Sequence, residues 1–245
     1  MKAMILAAGV GSRLRPLTDD TPKALIDVGG APIIEHVIRR LQLAGVTEIV
    51  VNLFHLGDRI VEFLASKGNF GLHIALSRES ELLDTGGGLK NAAWFFDDDC
   101  PFFLHNVDVL SEIDLGALHR FHQENGALVT LAVQSRPSSR LLLFEQDGRL
   151  CGRETREGVE WAKAPVSVSE RLAFTGIHVI DPAIFPRMTE MGIFPITEAY
   201  LRLAGEGERI VACRVDGIYW QDIGSAERLE RAREDLSRRL PQASS

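Results

Sequence analysis

With 245 residues, 45% of them hydrophobic, the chain is long enough for one sizeable α/β domain and too short for two ordinary domains and a linker. A formal net charge of -7 with no block of consecutive basic residues excludes the footprint of a nucleic-acid binder, so any bound anion must be met by a local positive pocket. No apolar run reaches the roughly 18 residues of a membrane span, and Cys100, Cys151 and Cys213 lie outside any CxxC, which argues against a disulfide framework and a zinc knuckle.

In chain order, an apolar strand at Lys2–Ala8 comes first, with no charged leader or cleavage site before it, which predicts a cytoplasmic protein. That strand delivers the chain into Gly9-Val10-Gly11-Ser12-Arg13, and Pro22-Lys23 follows. Glycines lack Cβ atoms, so backbone N–H groups at Gly9 and Gly11 can approach phosphate oxygens, while Arg13 and Lys23 supply the charge a polyphosphate demands. The turn is not a dinucleotide fingerprint, since Leu14 stands where the third glycine belongs and the second strand ends in Asn52-Leu53 without the ribose carboxylate. It is not a Walker loop either, because no Gly-Lys-Ser/Thr follows at the required spacing.

Next comes a helix burying Ile33, Ile34, Val37, Ile38 and Leu41, then a strand at Glu48–Leu53. A second helix starts at Asp58, whose carboxylate is placed to cap Ile60 and Val61. Strands follow at His73–Ser77 and Pro101–Asn106, with the loop Glu81–Gly88, including Asp84–Gly88, between them; its residues are open to two readings, a base and sugar reader through Glu81, Thr85 and the glycine backbone, or plain loop flexibility. After a helix at Asp114–Glu124 the rhythm changes to strands at Leu128–Val133, Leu141–Phe144 and Phe174–Ile180, with a hairpin at Gln146-Asp147-Gly148. The polar stretch Gly152–Arg171 reads as a loop or substrate-side lid, and a last strand at Ile210–Val215 precedes a helix begun by Ser225 and a frayed tail at 241–245. His119 and His122 share a helix face, but no third ligand lies nearby. Strand and helix in alternation predict a Rossmann-like, doubly wound α/β fold with a mainly parallel mixed sheet in a single domain over 1–240. Residues 1–125 would form its nucleotide half and 126–240 its sugar-phosphate and metal half.

Ligands of such sheets sit outside the carboxyl ends of the strands, which gathers Gly9–Arg13, Asp84–Gly88 and Asp108 into one crevice. Asp108 ends a hydrophobic strand and Asp222 sits between Trp220 and Ile223, costly places for carboxylates unless a cation compensates them. Two oxygen ligands plus phosphates and water suit Mg²⁺, with Mn²⁺ as its substitute.

The string LAAGxGxRxxPxTxxxPKxL resembles the sugar-1-phosphate nucleotidyltransferases, which join an NTP and a sugar 1-phosphate into an NDP-sugar and pyrophosphate. The likeness continues through Asp84-Thr85-Gly86-Gly87-Gly88, Asn106-Val107-Asp108, Phe174-Thr175-Gly176 and Trp220-Gln221-Asp222-Ile223-Gly224, so it covers essentially the whole chain and is closest to the short, single-domain bacterial members. It implies nucleotide contacts at Leu6, Ala8, Gly9, Gly11, Ser12, Arg13, Lys23, Glu81, Thr85 and Gly86. For the sugar phosphate it implies Asn106, Glu154, Thr175 and Gly176; for Mg²⁺, Asp108 and Asp222; and for the chemistry, Arg13, Lys23 and Asp108. Two departures stand out: Val107 replaces the glycine that many members carry before the metal aspartate, and Arg153-Glu154-Thr155 occupies the place of a Glu-Lys-Pro element. Rival readings are a cytidylyltransferase acting on a phosphoalcohol and a non-catalytic nucleotide-sugar sensor. Base, sugar and oligomeric state are not specified by these motifs.

Overall fold

The computed structural model describes residues 1–164 and 170–239. The chain runs through β1 (Lys2–Leu6), β2 (Asp27–Val28), β3 (Ala31–Pro32), α1 (Ile33–Leu43), β4 (Glu48–Leu53), α2 (Gly57–Ser66), β5 (His73–Arg78), α3 (Asp84–Asn91), β6 (Phe102–Asn106) and β7 (Val109–Ser111). It continues as α4 (Leu115–Asn125), β8 (Val129–Gln134), β9 (Leu141–Phe144), β10 (Leu150–Thr155), β11 (Gly158–Trp161), β12 (Glu170–Ile180), α5 (Ile196–Gly205), β13 (Ile210–Arg214), β14 (Trp220–Asp222) and α6 (Ala226–Arg239).

Among the described residues ten strands make one sheet, ordered β11-β10-β9-β12-β6-β1-β4-β5, with β8 against β12 and β13 against β8. The strands β5, β4, β1 and β6 are mutually parallel. β12 runs against both β6 and β8, so β8 and its parallel partner β13 point the same way as β1. The parallel strands are apolar without alternation because both sheet faces are covered: Ala3 and Ile5 enter the cluster under α1, α2 and α4, whereas Met4 enters the opposite one with Tyr200 and Leu203 of α5. On α1, Ile34, Val37, Ile38 and Leu41 repeat at helical spacing and are all buried, stabilising by roughly 1.5–3 kcal/mol each.

Three local readings are corrected. Asp58 is the second residue of α2 and caps nothing; Leu56 holds the N-cap position, and Asp58 instead accepts from Arg78 at 2.7 Å. The segment Asp84–Gly88 is not a loop but the first turns of α3, where glycine is demanded by close packing. A Cβ on Gly87 would stand 2.6 Å from the Gly192 carbonyl oxygen, and one on Gly88 would stand 2.9 Å from both Asn52 Nδ2 and Glu79 Oε1. Gly87→Ala is therefore expected to lower the thermal midpoint by several degrees, through an overpacking cost of about 1–3 kcal/mol; an unchanged midpoint in calorimetry would refute the packing reason. The segment Gly152–Arg171 holds a hairpin, β10 against β11, followed by the start of β12. Its polar look arises because β11 is an exposed edge strand. Arg153 ties it to Thr197 of α5, so it is a sheet extension rather than a lid, and the part at 165–169 lies outside the described residues, as does the tail at 241–245.

Three histidines are enclosed. His105 Nδ1 hydrogen-bonds the Asn106 carbonyl, His178 meets the Tyr200 hydroxyl at 2.7 Å, and His122 Nδ1 meets the Thr130 hydroxyl at 3.0 Å. Burial holds their pKa values down, to about 4 for His105 and His122 and about 3 for His178. The unfolded chain takes up these protons near pH 6.5 while the folded chain does not, so each histidine removes up to about 1.4 kcal/mol of stability per pH unit as pH falls from 6.5 toward 4. Denaturant unfolding measured between pH 7 and 4.5 should show this acid-side loss, and replacing His178 by phenylalanine should reduce its slope.

Candidate active site

The glycine turn is set by two different constraints. Gly11 has φ +68°, and a Cβ there would lie 2.9 Å from Thr18 Cγ2, so the left-handed turn and its packing require glycine. Thr18 fastens that turn by donating its hydroxyl to the Gly11 carbonyl at 2.9 Å. Gly9 has nothing within 4 Å of its would-be Cβ, which leaves the backbone at the end of β1 open to a ligand. Ser12 and Arg13 are exposed beside it, whereas Leu14 is buried.

From the next strand, Asn106 lies in register with Leu6, and Val107 N–H donates to the Leu6 carbonyl at 3.1 Å. The chain thus reaches Asp108 beside the turn. Lys23, only 8% exposed, crosses to it: Nζ stands 2.5 Å from Asp108 Oδ2 across 85 residues of sequence. The third piece is β14, antiparallel to β7 with Asp222 opposite Val109, and Ile223 N–H donates to the Asp108 carbonyl at 2.8 Å. Asp108 and Asp222 are therefore neighbours through backbone pairing. Asp222 Oδ1 accepts from Gly224 N–H at 2.9 Å and Oδ2 pairs with Arg228. A Cβ on Gly224 would stand 2.7 Å from Asp222 Oδ1 and 3.1 Å from Arg13 Nη2, so this glycine lets the arginine and the aspartate converge.

What holds these groups in place is apolar. Leu14, Ile223 and Leu229, each next in sequence to Arg13, Asp222 or Arg228, pack with Leu110, Ile26, Val28 and Ile33 in one buried cluster. Each polar side chain thus hangs from a fixed apolar neighbour, and losing that packing would release three charges at once.

The remaining expected site residues divide. Asn106 and Gly176 meet: a Cβ on Gly176, which has φ +82°, would lie 2.8 Å from Asn106 Nδ2. Thr175 is 1% exposed and spends its hydroxyl on the Ala132 carbonyl at 2.8 Å, so it frames the site rather than facing it. Glu154 sits on β10 and pairs with Arg171 at 3.2 Å. On the far side, Glu81 is exposed, the Thr85 hydroxyl accepts from Ile196 N–H at 2.9 Å, and Gly86 N–H donates to the Phe194 carbonyl at 3.0 Å. The N-terminal groups of α3 are thus engaged within the protein. One network escaped the motifs: Asn52 accepts from Ala7 N–H at 2.6 Å and donates to Glu79 at 2.7 Å, and Glu79 accepts from Leu83 N–H at 3.0 Å. It joins the end of β1 to the start of α3. The absence of a carboxylate at Asn52 was a signal in itself, because an amide can both accept from one neighbour and donate to the other.

This arrangement has known counterparts. A nucleotidyl transferase family model matches residues 2–239. Mannose-1-phosphate guanyltransferase beta-B of Xenopus laevis is 32% identical over 236 residues, which cover 91% of this chain and 61% of that protein. The chain therefore spans less than two thirds of the guanyltransferases it matches. N-acetylmuramate alpha-1-phosphate uridylyltransferase of Neisseria meningitidis serogroup B is 34% identical over 234 residues, covering 95% of this chain and 96% of that one. The fold of UDP-glucose pyrophosphorylase from Acinetobacter baumanii superposes with a TM-score of 0.80 at 18% identity, over 98% of this chain and 94% of that one. With a match running from the glycine turn on β1 to the end of α6, and the expected mainly parallel α/β sheet beneath it, the chain belongs to the nucleotidyl transferase family.

Proposed function

We propose that this protein transfers a nucleotidyl group from an NTP to a sugar 1-phosphate, giving an NDP-sugar and pyrophosphate. The observation that carries this reading is the junction of Lys23–Asp108 with Asp222 beside Arg13, two carboxylates and two cations gathered where the parallel strands β1 and β6 end and β14 closes against β7. Residues 1–125 are read as the nucleotide side and 126–240 as the side of the sugar phosphate. The N-acetylmuramate enzyme is matched over nearly its full length, so UTP with N-acetylmuramate 1-phosphate is the first pair to try. The cytosol, where nucleoside triphosphates are made, is the compartment such a reaction requires; no helix among the described residues is long and apolar enough to cross a membrane.

The donor set fits Mg²⁺ better than a softer ion: both candidate ligands are hard carboxylates, on segments joined by a backbone hydrogen bond. When bound, such an ion would neutralise phosphate charge and orient the reacting oxygens. The chain's own groups do the rest. Lys23 and Arg228 now balance Asp108 and Asp222, and both cations become available to phosphate oxygens once those carboxylates are otherwise compensated. Arg13 is exposed and, among the described residues, has no ion-pair partner, which suits the departing pyrophosphate. A phosphate monoester has its second pKa near 6, so on the order of nine in ten acceptor molecules are dianions at pH 7 and attack the α-phosphorus without a general base. Catalysis is then left to positioning and charge.

Pyrophosphate release with four NTPs against sugar 1-phosphates and phosphocholine tests the reading. Turnover with a sugar 1-phosphate is expected. Turnover with phosphocholine alone would favour the cytidylyltransferase reading, and binding without pyrophosphate release would favour a sensor.

A further inference from the structure

A further cation borders the reaction centre from the side opposite the glycine turn. Arg136 follows the carboxyl end of β8, which runs in the same direction as β1 and β6, so it stands on the ligand-bearing edge of the sheet. In sheet order β12 and β6 separate it from β1, and the aspartates lie between the two flanks. Its guanidinium carbon lies 3.7 Å from the centroid of the Trp220 ring, and Nη2 donates to the Phe174 carbonyl at 2.9 Å. The Trp220 indole donates in turn to the Thr175 carbonyl at 2.8 Å, so the stacking platform is itself held. Trp220 and Asp222 are two apart on β14 and share one side of the strand. Consistently, Asp222 is the acid that favours the charged guanidinium against the cost of its burial.

Arg136 is incompletely satisfied. Its Nε is buried without a hydrogen-bond partner, and among the described residues no carboxylate lies within ion-pair distance of it. The other cations on this flank differ: Arg153 is held by Glu160, Lys163 by Glu145, Arg171 by Glu154 and Arg214 by Glu170 and Asp216, while Arg140 is exposed. An open cavity of about 680 Å³ adjoins Arg136, lined also by Ser135, Trp220 and Gln221, by Arg214 with its partner Asp216, and by Asp235. A guanidinium oriented by an aromatic face and met by no carboxylate among the described residues keeps its charge and donors for a phosphate oxygen.

We propose that Arg136 binds the phosphate group of the acceptor substrate, a phosphate monoester, from the β8 flank. The proposal rests on the nucleotidyl-transfer reading for the name of that substrate, but not for the anion itself. It explains how an acceptor phosphate finds a cation where the hairpin carries Arg153-Glu154-Thr155, whose arginine is already paired. Donor and acceptor phosphates would then approach the aspartates from opposite flanks, as in-line displacement requires.

Inorganic phosphate titrated by calorimetry into the full chain, its Arg136→Gln variant and its Arg136→Lys variant tests the anion site directly. Phosphate affinity should fall about tenfold or more in Arg136→Gln and less in Arg136→Lys, which keeps charge but loses the fork, with thermal midpoints near that of the parent. In the pyrophosphate-release assay, Arg136→Gln should raise the KM for the sugar 1-phosphate about tenfold while the KM for the NTP stays within about twofold. Unchanged phosphate affinity in both variants would overturn the proposal, and so would a parallel rise of both KM values, which is what loosening of Trp220 and Asp222 alone would produce. If Arg136→Gln does not fold, Arg136→Lys decides by the same readouts. A parent protein that binds phosphate through Arg136 yet turns over no NTP and sugar phosphate would sink the transfer reading and leave the anion site standing.

Discussion

Replacing Asp108 or Asp222 by alanine is expected to abolish Mg²⁺-dependent pyrophosphate release. The segments carrying the two aspartates are joined by the Ile223–Asp108 backbone bond, and on the proposed reading each aspartate supplies one of the two oxygen ligands the chain offers a divalent ion. A loss of several kcal/mol in the transition state corresponds to about a thousandfold or more in rate. The two variants should differ in stability. Asp108→Ala strands the buried Lys23 ammonium without its partner, an uncompensated charge that costs about 3–5 kcal/mol when the site is dry. Asp222→Ala frees the half-exposed Arg228 and leaves the Gly224 N–H without its acceptor, and should unfold below the parent midpoint but above that of Asp108→Ala. Asp108→Asn, close in shape, separates the effects by keeping an acceptor for Lys23 while weakening metal binding. Rates across a Mg²⁺ titration, read beside thermal unfolding, check this, and near-full activity of either alanine variant at any Mg²⁺ concentration would remove that aspartate from the site.

Arg13 and Lys23 should fail in different ways although both are cations. Arg13 is exposed beside Gly224 and free to fork onto phosphate oxygens, so Arg13→Lys keeps the charge and loses the paired hydrogen bonds, with an expected fall of about a hundredfold in kcat/KM. Lys23 is buried against Asp108, and on the proposed reading it meets the charge that develops on the reacting phosphate. Lys23→Ala should therefore depress kcat by on the order of a hundredfold or more and NTP affinity much less. Lys23 stands on Asp108 and Arg13 beside Asp222, and the segments of these two aspartates are joined by a backbone bond, so their effects are not expected to add. Single-turnover kinetics with a saturating NTP distinguish the outcomes: a Lys23→Ala variant that only raises the NTP KM would move the lysine to ground-state binding.

The first turn of this chain was legible because its determinants are local. An apolar run, then glycine, then arginine, specifies strand, open backbone and charge within a few residues, and the periodicity of Ile34, Val37, Ile38 and Leu41 specifies the helix that follows. Strands such as Glu48–Leu53 and Leu141–Phe144 were read at their observed limits for the same reason. Motif likeness also singled out Asp108 and Asp222, since an aspartate inside an apolar tract needs compensation wherever the chain goes.

Tertiary structure decided what depends on a distant partner. Three successive glycines suggest a flexible loop until Phe194, Gly192, Asn52 and Glu79 press on them and make glycine the residue that lets α3 sit there. The polar stretch after Gly152 looks loop-like because an edge strand has one side in water, and only pairing with β9 makes it a sheet. The Lys23–Asp108 pair, the Asn52–Glu79 link and the stacking of Arg136 on Trp220 join residues 85, 27 and 84 positions apart, or bind them through a ring face, and no local spacing encodes such contacts. Composition and periodicity therefore determined most of the strands, the helix α1 and the glycine turn after β1, whereas tertiary packing decided α3 and the β10–β11 hairpin, and the sheet's strand order, by setting which carboxyl ends stand side by side, decided which charges share a site.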